Sequence, residues 1–254
     1  MAKIIAVANQ KGGVGKTTTC VNLAYSLGLF DVKTLLCDFD PQGNATSGYG
    51  VSKQDTLNIY DVLINGADVH EAVVHTPYGD IIPANSALAG AGVEIVDMEE
   101  REFLLKKALE PLLPDYDAII IDCPPSLELL TLNSLCAADS MLIPIQCEYY
   151  ALEGLSDLMN TVSILKQGLN PDLEIEGMLM TMYDARTQLS KQVVDEVKKH
   201  FPDYVYPINI PRNVRLSEAP SHGKPALALD KHSKGGRAYR KLAKLLSQKL
   251  KGEV

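Results

Sequence analysis

The run Gln10-Lys11-Gly12-Gly13-Val14-Gly15-Lys16-Thr17-Thr18 joins an apolar stretch, residues 3–8, to a segment with helical spacing. A glycine-rich turn between a strand and a helix is a phosphate cradle. Its backbone N–H groups converge on an anion, and the helix N-terminus adds partial positive charge. Gly12, Gly13 and Gly15 let the backbone turn and approach phosphates closely, with Val14 between them. Lys16 is placed to contact the β- and γ-phosphates, and the Thr17 hydroxyl to ligate Mg²⁺, with Thr18 completing the loop. The chemistry that these residue types support is binding of a nucleotide polyphosphate.

One position departs from the general phosphate-loop pattern. Gln10 stands where a glycine is usual, and a second lysine, Lys11, follows it. Two lysines exceed what a single nucleotide needs. Lys16 begins the helix and points inward. Lys11 sits at the loop entrance, where its long side chain can leave its own subunit. The competing reading is a glycine-rich turn with two solvated lysines, and the flanking strand and helix argue against it.

Carboxylates occur where such a cradle needs them. A second apolar run ends Cys37-Asp38-Phe39-Asp40-Pro41. Strand alternation puts Asp38 and Asp40 on the same side, and Pro41 favours an extended Asp40 and ends the strand. Asp40 is assigned to positioning a water for attack on a γ-phosphate. Asp38 is assigned a metal-shell or structural role. Two carboxylates in a solvated loop are the alternative. A third run, Ile119-Ile120-Ile121-Asp122, ends in an aspartate placed near Mg²⁺ through a water, the usual partner of a phosphate loop. The stiff Pro124-Pro125 pair follows it. Further on, Pro211 and Asn213 are candidates for packing on and reading an adenine ring, although a plain loop fits that segment equally well.

These residues must be carried by regular elements. Apolar, strand-like runs fall at 3–8, 34–39, 81–83, 118–122, 140–145, 174–181 and 205–210. Helical patterns fall at 16–29, 99–113, 127–138, 152–167, 190–200 and 236–251. Several strands are continuously apolar, as parallel strands covered on both faces must be. The alternation predicts an α/β fold: a doubly wound, mainly parallel sheet with helices on both faces, of the P-loop NTPase kind. Ligands in such sheets bind beyond the carboxyl ends of the strands. Residues 44–85 are less regular and read as peripheral helices beside the nucleotide site. Without a Gly/Ser-rich linker or internal repeat, the 254 residues are expected to form one domain, 1–254.

Composition sets further bounds. At 46% hydrophobic residues the chain can bury a full core, which excludes a disordered class. The five cysteines form no C-x-x-C pair and read as reduced, buried thiols of a cytosolic protein. The first strand begins at once, leaving no room for a signal peptide, and no apolar run is long enough to span a membrane. The net charge of −8 hides an asymmetry. Residues 186–254 hold 15 Lys+Arg against 6 Asp+Glu, and the remainder holds 9 against 26. A basic end on an acidic protein is the mark of a polyanion-binding face, or of a lysine-rich helix that only keeps the protein soluble.

The motifs together resemble a known family. Residues 11–18 match the deviant Walker A motif. With the segments 38–44, 122–126, 146–154 and 210–221, the chain is similar, essentially end to end, to chromosome-partitioning ATPases of the ParA (Soj) type within the ParA/MinD superfamily. The resemblance implies an ATP- and Mg²⁺-dependent sandwich homodimer. Lys11 would reach the partner's phosphates, and Gly12 would lie against the partner. The dimer would bind double-stranded DNA without sequence preference. A ParB-type centromere-binding protein would stimulate an otherwise weak ATPase, and hydrolysis would release the DNA. Arg186 and Arg215 match the family's DNA-binding arginines, and the expected location is cytoplasmic and nucleoid-associated. Two rivals remain. A MinD-like membrane-cycling ATPase would use the amphipathic, basic tail 240–251, which has no Phe or Trp on its apolar face. A metabolic enzyme, such as an amide ligase or an iron protein bridged by Cys123 or Cys136, would use the same loop.

Overall fold

The computed structural model describes residues 2–149 and 151–252; Tyr150, in the 146–154 motif, lies outside them. Seven strands form one sheet: β1 (Lys3–Val7), β2 (Thr34–Asp38), β3 (Val74–Thr76), β4 (Gly79–Ile82), β5 (Ala118–Asp122), β6 (Ser140–Gln146) and β7 (Glu174–Thr181). Their order is β3-β4-β2-β5-β1-β6-β7. All neighbours are parallel except the β3–β4 hairpin at the edge. The register pairs Val7 with Asp122 and Asp38 with Asp122. The carboxyl ends of β1, β2 and β5 are therefore level, which gathers the three sequence-distant motifs at one edge of the sheet.

Alternation along the strands divides the core in two. Ile4, Ala6, Leu35, Ile119, Ile121 and Ile143 face one side. There they pack against α5 (Leu104–Leu109), α6 (Leu129–Ala137), α7 (Ala151–Gly168) and α8 (Gln188–His200). Ile5, Val7, Leu36, Ile120 and Leu142 face the other side, against α1 (Lys16–Gly28) and α11 (Lys234–Leu250). In α7, Leu155, Leu158, Val162 and Leu165 recur at helical spacing and are all buried.

The basic helix α11 is built the same way. The Ser233 hydroxyl caps its start by accepting from Gly236 N at 3.1 Å. Tyr239, Leu242, Ala243 and Leu246 form its buried stripe. Burying each of the large apolar side chains contributes about 1.5–3 kcal/mol. The Tyr239 hydroxyl meets the Thr19 hydroxyl of α1 at 3.0 Å, which ties α11 to the helix that follows the phosphate loop. At its far end, Lys249 pairs with buried Glu176 at 2.9 Å.

Some expected elements differ. Among the described residues the expected strand at 205–210 forms only an isolated bridge, Met178 with Val205, and a second, Tyr183 with Pro211, lies just beyond it. Tyr206 N donates to Met178 O at 3.0 Å and Ile210 N to Met180 O at 2.8 Å, so the segment advances four residues against two of β7 and no continuous ladder forms. The helix expected at 99–113 begins only at Leu104, because residues 99–103 form turns and Glu100 is left-handed at φ 52°. It tightens into a 3-10 turn, Glu110–Leu112, at Pro111. The irregular region holds α2 (Asn44–Gly48) and α3 (Ile59–Asn65), as expected, and also the short β3–β4 hairpin. Three short helices also escaped the sequence: α4 (Leu88–Glu94), α9 (Val214–Glu218) and α10 (Ala226–Leu229).

Candidate nucleotide site and basic surface

The phosphate loop runs from the end of β1 into α1. Gly15 caps that helix at φ 94°, and Gly13 has φ 74°, values that L side chains rarely adopt. The first turn of α1 carries no acidic residue, so its N–H groups face the loop without a competing carboxylate. Asn9 fixes the loop entrance. Its side-chain NH₂ donates to Pro144 O at 2.8 Å, and its carbonyl accepts from Lys11 N at 3.0 Å. On the far side the Thr181 hydroxyl donates to Val14 O at 2.8 Å. The loop is thus strapped to β6 and β7.

The two lysines occupy different environments. Lys16 is buried and donates from Nζ to Asn9 O at 2.9 Å and to Lys11 O at 3.1 Å. Burial pulls its ammonium below the usual lysine range, against the opposing pull of Asp122, Cys123 and Asp40. Lys11 has a 40% exposed side chain and lies 3.4 Å from Glu148 Oε2. Gly12 and Gly13 are exposed. A Cβ placed on Gly12 would meet nothing closer than Pro125 Cβ at 3.9 Å.

The carboxylates converge as the register requires. Asp38 and Asp122 are fully buried, and Asp40 nearly so. Thr46 holds Asp38 with both its N–H and its hydroxyl, each 2.7 Å from Oδ2. Burial nevertheless pushes the Asp38 carboxyl up to about 6, with Asp40 adding to the rise. Asp40 lies just past the end of β2, where Oδ1 accepts from Gln42 N at 2.9 Å. Asp122 is raised well above the usual carboxylate range by burial and by Asp38, while the neighbouring Thr17 opposes the rise. The Cys20 thiol donates to its Oδ1 at 3.4 Å, and its buried Oδ2 has no hydrogen-bond partner among the described residues. An orphaned, buried carboxylate oxygen beside a phosphate loop fits a hydrated divalent cation, whose charge would remove the cost of ionising it.

A cavity of about 530 Å³ opens beside the loop, lined by Gly15, Thr18, Thr181, Pro211, Asn213 and Tyr239 among others. The structure therefore brings Pro211 and Asn213 to the same cavity as the loop. Asn213 Oδ1 accepts from the Ser233 hydroxyl at 3.1 Å.

The candidate DNA arginines, Arg186 and Arg215, are not among the residues lining this cavity, although Val214 and Leu216 beside Arg215 are. Arg186, with an 89% exposed side chain, is bidentate to Asp184, at 2.9 Å from Nε and 2.7 Å from Nη2. The guanidinium holds the Asp184 carboxyl down at about 2. Arg215 pairs with Glu218 at 2.9 Å and Asp230 at 3.4 Å. Lys234, Arg237 and Lys241 instead line a groove of about 560 Å³ with Pro207, Asn209 and Pro211. Among the described residues none of these three side chains has an ion-pair partner.

Sequence reasoning missed the supporting residues. Asn9 had a signal, as an Asx-turn former at the mouth of a glycine loop. Thr46 and Thr181 had none: Thr46 meets Asp38 only by way of the turn after β2, and Thr181 bonds Val14, far away in sequence. Cys123 and Cys136 are both buried, which removes them from any surface where two subunits could share a cluster.

A strand, glycine loop and helix, with aspartates at the ends of two neighbouring parallel strands, define a P-loop nucleotide-binding protein. The AAA domain family model matches residues 2–175. The chain is 58% identical over 247 residues to the sporulation initiation inhibitor protein Soj of Bacillus subtilis, covering 96% of this chain and 98% of that protein. It is 50% identical to the chromosome-partitioning ATPase Soj of Treponema pallidum, covering 96% of each. Among solved structures, cobyrinic acid a,c-diamide synthase from Mycobacterium smegmatis, with bound ATP analogue and magnesium, superposes with a TM-score of 0.86. That match is at 37% identity and covers 100% of this chain and 98% of the other. The chain belongs to the ParA/Soj family of chromosome-partitioning ATPases. Its cofactors are ATP and Mg²⁺.

Proposed function

We propose that this chain is a DNA-segregation ATPase whose ATP-bound form is a sandwich homodimer that holds DNA without sequence preference. The reading rests on one observation. Lys16 is buried inside the loop, with its ammonium on Asn9 O and Lys11 O, while Lys11 and Gly12 lie at the exposed entrance, where a second copy can approach. Lys11 then completes the partner's phosphate site, and Gly12 provides the bare backbone at the contact.

Within each site, Gly13 to Thr18 bind the phosphates and Lys16 neutralises their charge. Mg²⁺, when bound, would neutralise charge that develops on the phosphates. The Thr17 hydroxyl would hold it directly and Asp122 through a water, with Asp38 fixed nearby by Thr46. Asp40 orients the attacking water. Pro211 and Asn213 pack on and read the adenine. The protein works in the cytoplasm on the nucleoid, and a ParB-type partner accelerates hydrolysis and release.

For the DNA face we assign Arg186 and Arg215, with the stripe Lys234, Arg237 and Lys241 on α11. The first two must exchange carboxylate partners for phosphates, whereas the stripe has none to exchange. An exposed ion pair is worth only about 0.2–1 kcal/mol, so the exchange is feasible.

A membrane-cycling role is disfavoured because the apolar face of α11 is buried against α1 and the sheet. Among the described residues no helix is long and apolar enough to cross a membrane. The amide-ligase reading is disfavoured by the higher identity to the Soj proteins. The test is light scattering with ATP, ADP or no nucleotide. Wild type should dimerise with ATP alone, and Gly12→Val should bind ATP yet stay monomeric. Since a Cβ at this position meets no clash within its own subunit, an ATP-dependent dimer of the variant would remove Gly12 from the interface.

A further inference from the structure

Glu148 lies in the segment 146–154, which contributes nothing to the chemistry above. It joins β6 to α7 and grips both residues that precede the loop glycines. The Gln10 side chain donates to Gly154 O at 3.1 Å, and Lys11 Nζ lies 3.4 Å from Glu148 Oε2. The other Glu148 oxygen accepts from the Gln146 side-chain amide. The Glu148 backbone is itself fixed. Its N–H donates to Gln146 O at 2.8 Å, its carbonyl accepts from Ala151 N at 3.1 Å, and Cys147 N donates to Thr181 O at 3.2 Å. The carboxylate is therefore presented by a braced turn to the one lysine that Lys16 makes redundant within its own site.

We propose that Glu148 is a positioning residue that keeps Lys11 in its own subunit until ATP assembles the dimer, a proposal that rests on the reading of Lys11 as acting across the interface. The pair is suited to the task because it is weak. Both side chains are nearly half exposed, so the carboxylate holds the ammonium only lightly. A triphosphate in a closing, water-poor interface carries more charge and outcompetes it. In a two-fold interface both lysines make the same exchange. Glu148 thereby raises the ATP and protein concentrations needed for assembly.

The test compares wild type with Glu148→Gln and Glu148→Asp. Mass-spectrometric footprinting by an amine-reactive ester, without nucleotide, reads the freedom of Lys11. In Glu148→Gln its modification should rise about 1.4- to five-fold at low salt, with the difference closing at 1 M salt, and Glu148→Asp should restore much of the protection. By light scattering, the protein concentration for half-dimerisation in ATP should fall by a similar factor, while ADP affinity stays unchanged. A general loss of negative charge near the site would instead tighten ADP as well. Unchanged Lys11 modification overturns the proposal, as does an unmoved or raised dimerisation midpoint. Failure of wild type to dimerise with ATP refutes the trans reading of Lys11 itself. Wild-type dimerisation with an unmoved Glu148→Gln midpoint refutes only the latch.

Discussion

The nucleotide end and the basic flank handle charge in opposite ways. At the carboxyl ends of β1, β2 and β5, Lys16, Asp38, Asp40 and Asp122 are buried and held by neighbours such as Thr46, and one Asp122 oxygen has no partner among the described residues. On the flank, Arg186 and Arg215 are exposed and already paired, while Lys234, Arg237 and Lys241 have no ion partner among the described residues. Buried charge is set in advance and waits for a ligand of fixed shape. Exposed charge is exchangeable and suits a ligand met in any register, such as a phosphodiester backbone. Changes at the first region should therefore give large, specific losses. Changes at the second should give graded, salt-dependent ones.

The sharpest break is Lys16→Ala. Losing two charge-assisted bonds to phosphates should weaken ATP binding by about 100-fold or more in titration calorimetry. Retained affinity would show that the buried lysine is structural. Asp40→Ala should leave ATP binding intact and slow hydrolysis by about 10²–10⁴-fold in single-turnover assays, trapping a dimer on DNA. Normal turnover would return Asp40 to a turn-forming role.

On the flank, Arg186→Glu with Arg215→Glu should leave dimerisation intact and lower the slope of log affinity against log salt by about two. Alanines at Lys234, Arg237 and Lys241 should lower it by about three. An unchanged slope in either set would move the DNA face elsewhere.

The smallest change concerns how α11 is anchored. Burial alone would raise the Glu176 carboxyl, but bonds from Lys249 and the charge of Lys3 outweigh it and hold it below the usual range. Stability from this group is present above the unfolded carboxylate value, near 4.5, and is lost as pH falls through the lower folded value. Glu176→Gln should cost about 1–3 kcal/mol in urea unfolding at neutral pH, and the gap should narrow in acid. A gap independent of pH would assign the loss to packing.

The same contrast governs what the sequence made legible. Asp38 and Asp122 could be placed because apolar strands end at them and parallel register aligns those ends, and Lys16 because a glycine loop leads from β1 into a helix that starts at it. The basic face could be located as a region but not resolved. The Asp230 that holds Arg215 comes from a different loop, and no periodicity announces it. Residues 205–210 carried a strand's composition, yet they advance four residues against two of β7 between successive bonds, a mismatch that composition does not show. Thr46 was invisible because its partner Asp38 lies across a turn and inside the core.

The central claim is that nucleotide occupancy at the buried end controls the grip of the exposed one. DNA retention measured with ATP, ADP and no nucleotide across a salt series tests it most directly. Binding should require ATP and fall steeply as salt rises. Equal binding in all three nucleotide states, or none in ATP at low salt, would contradict it.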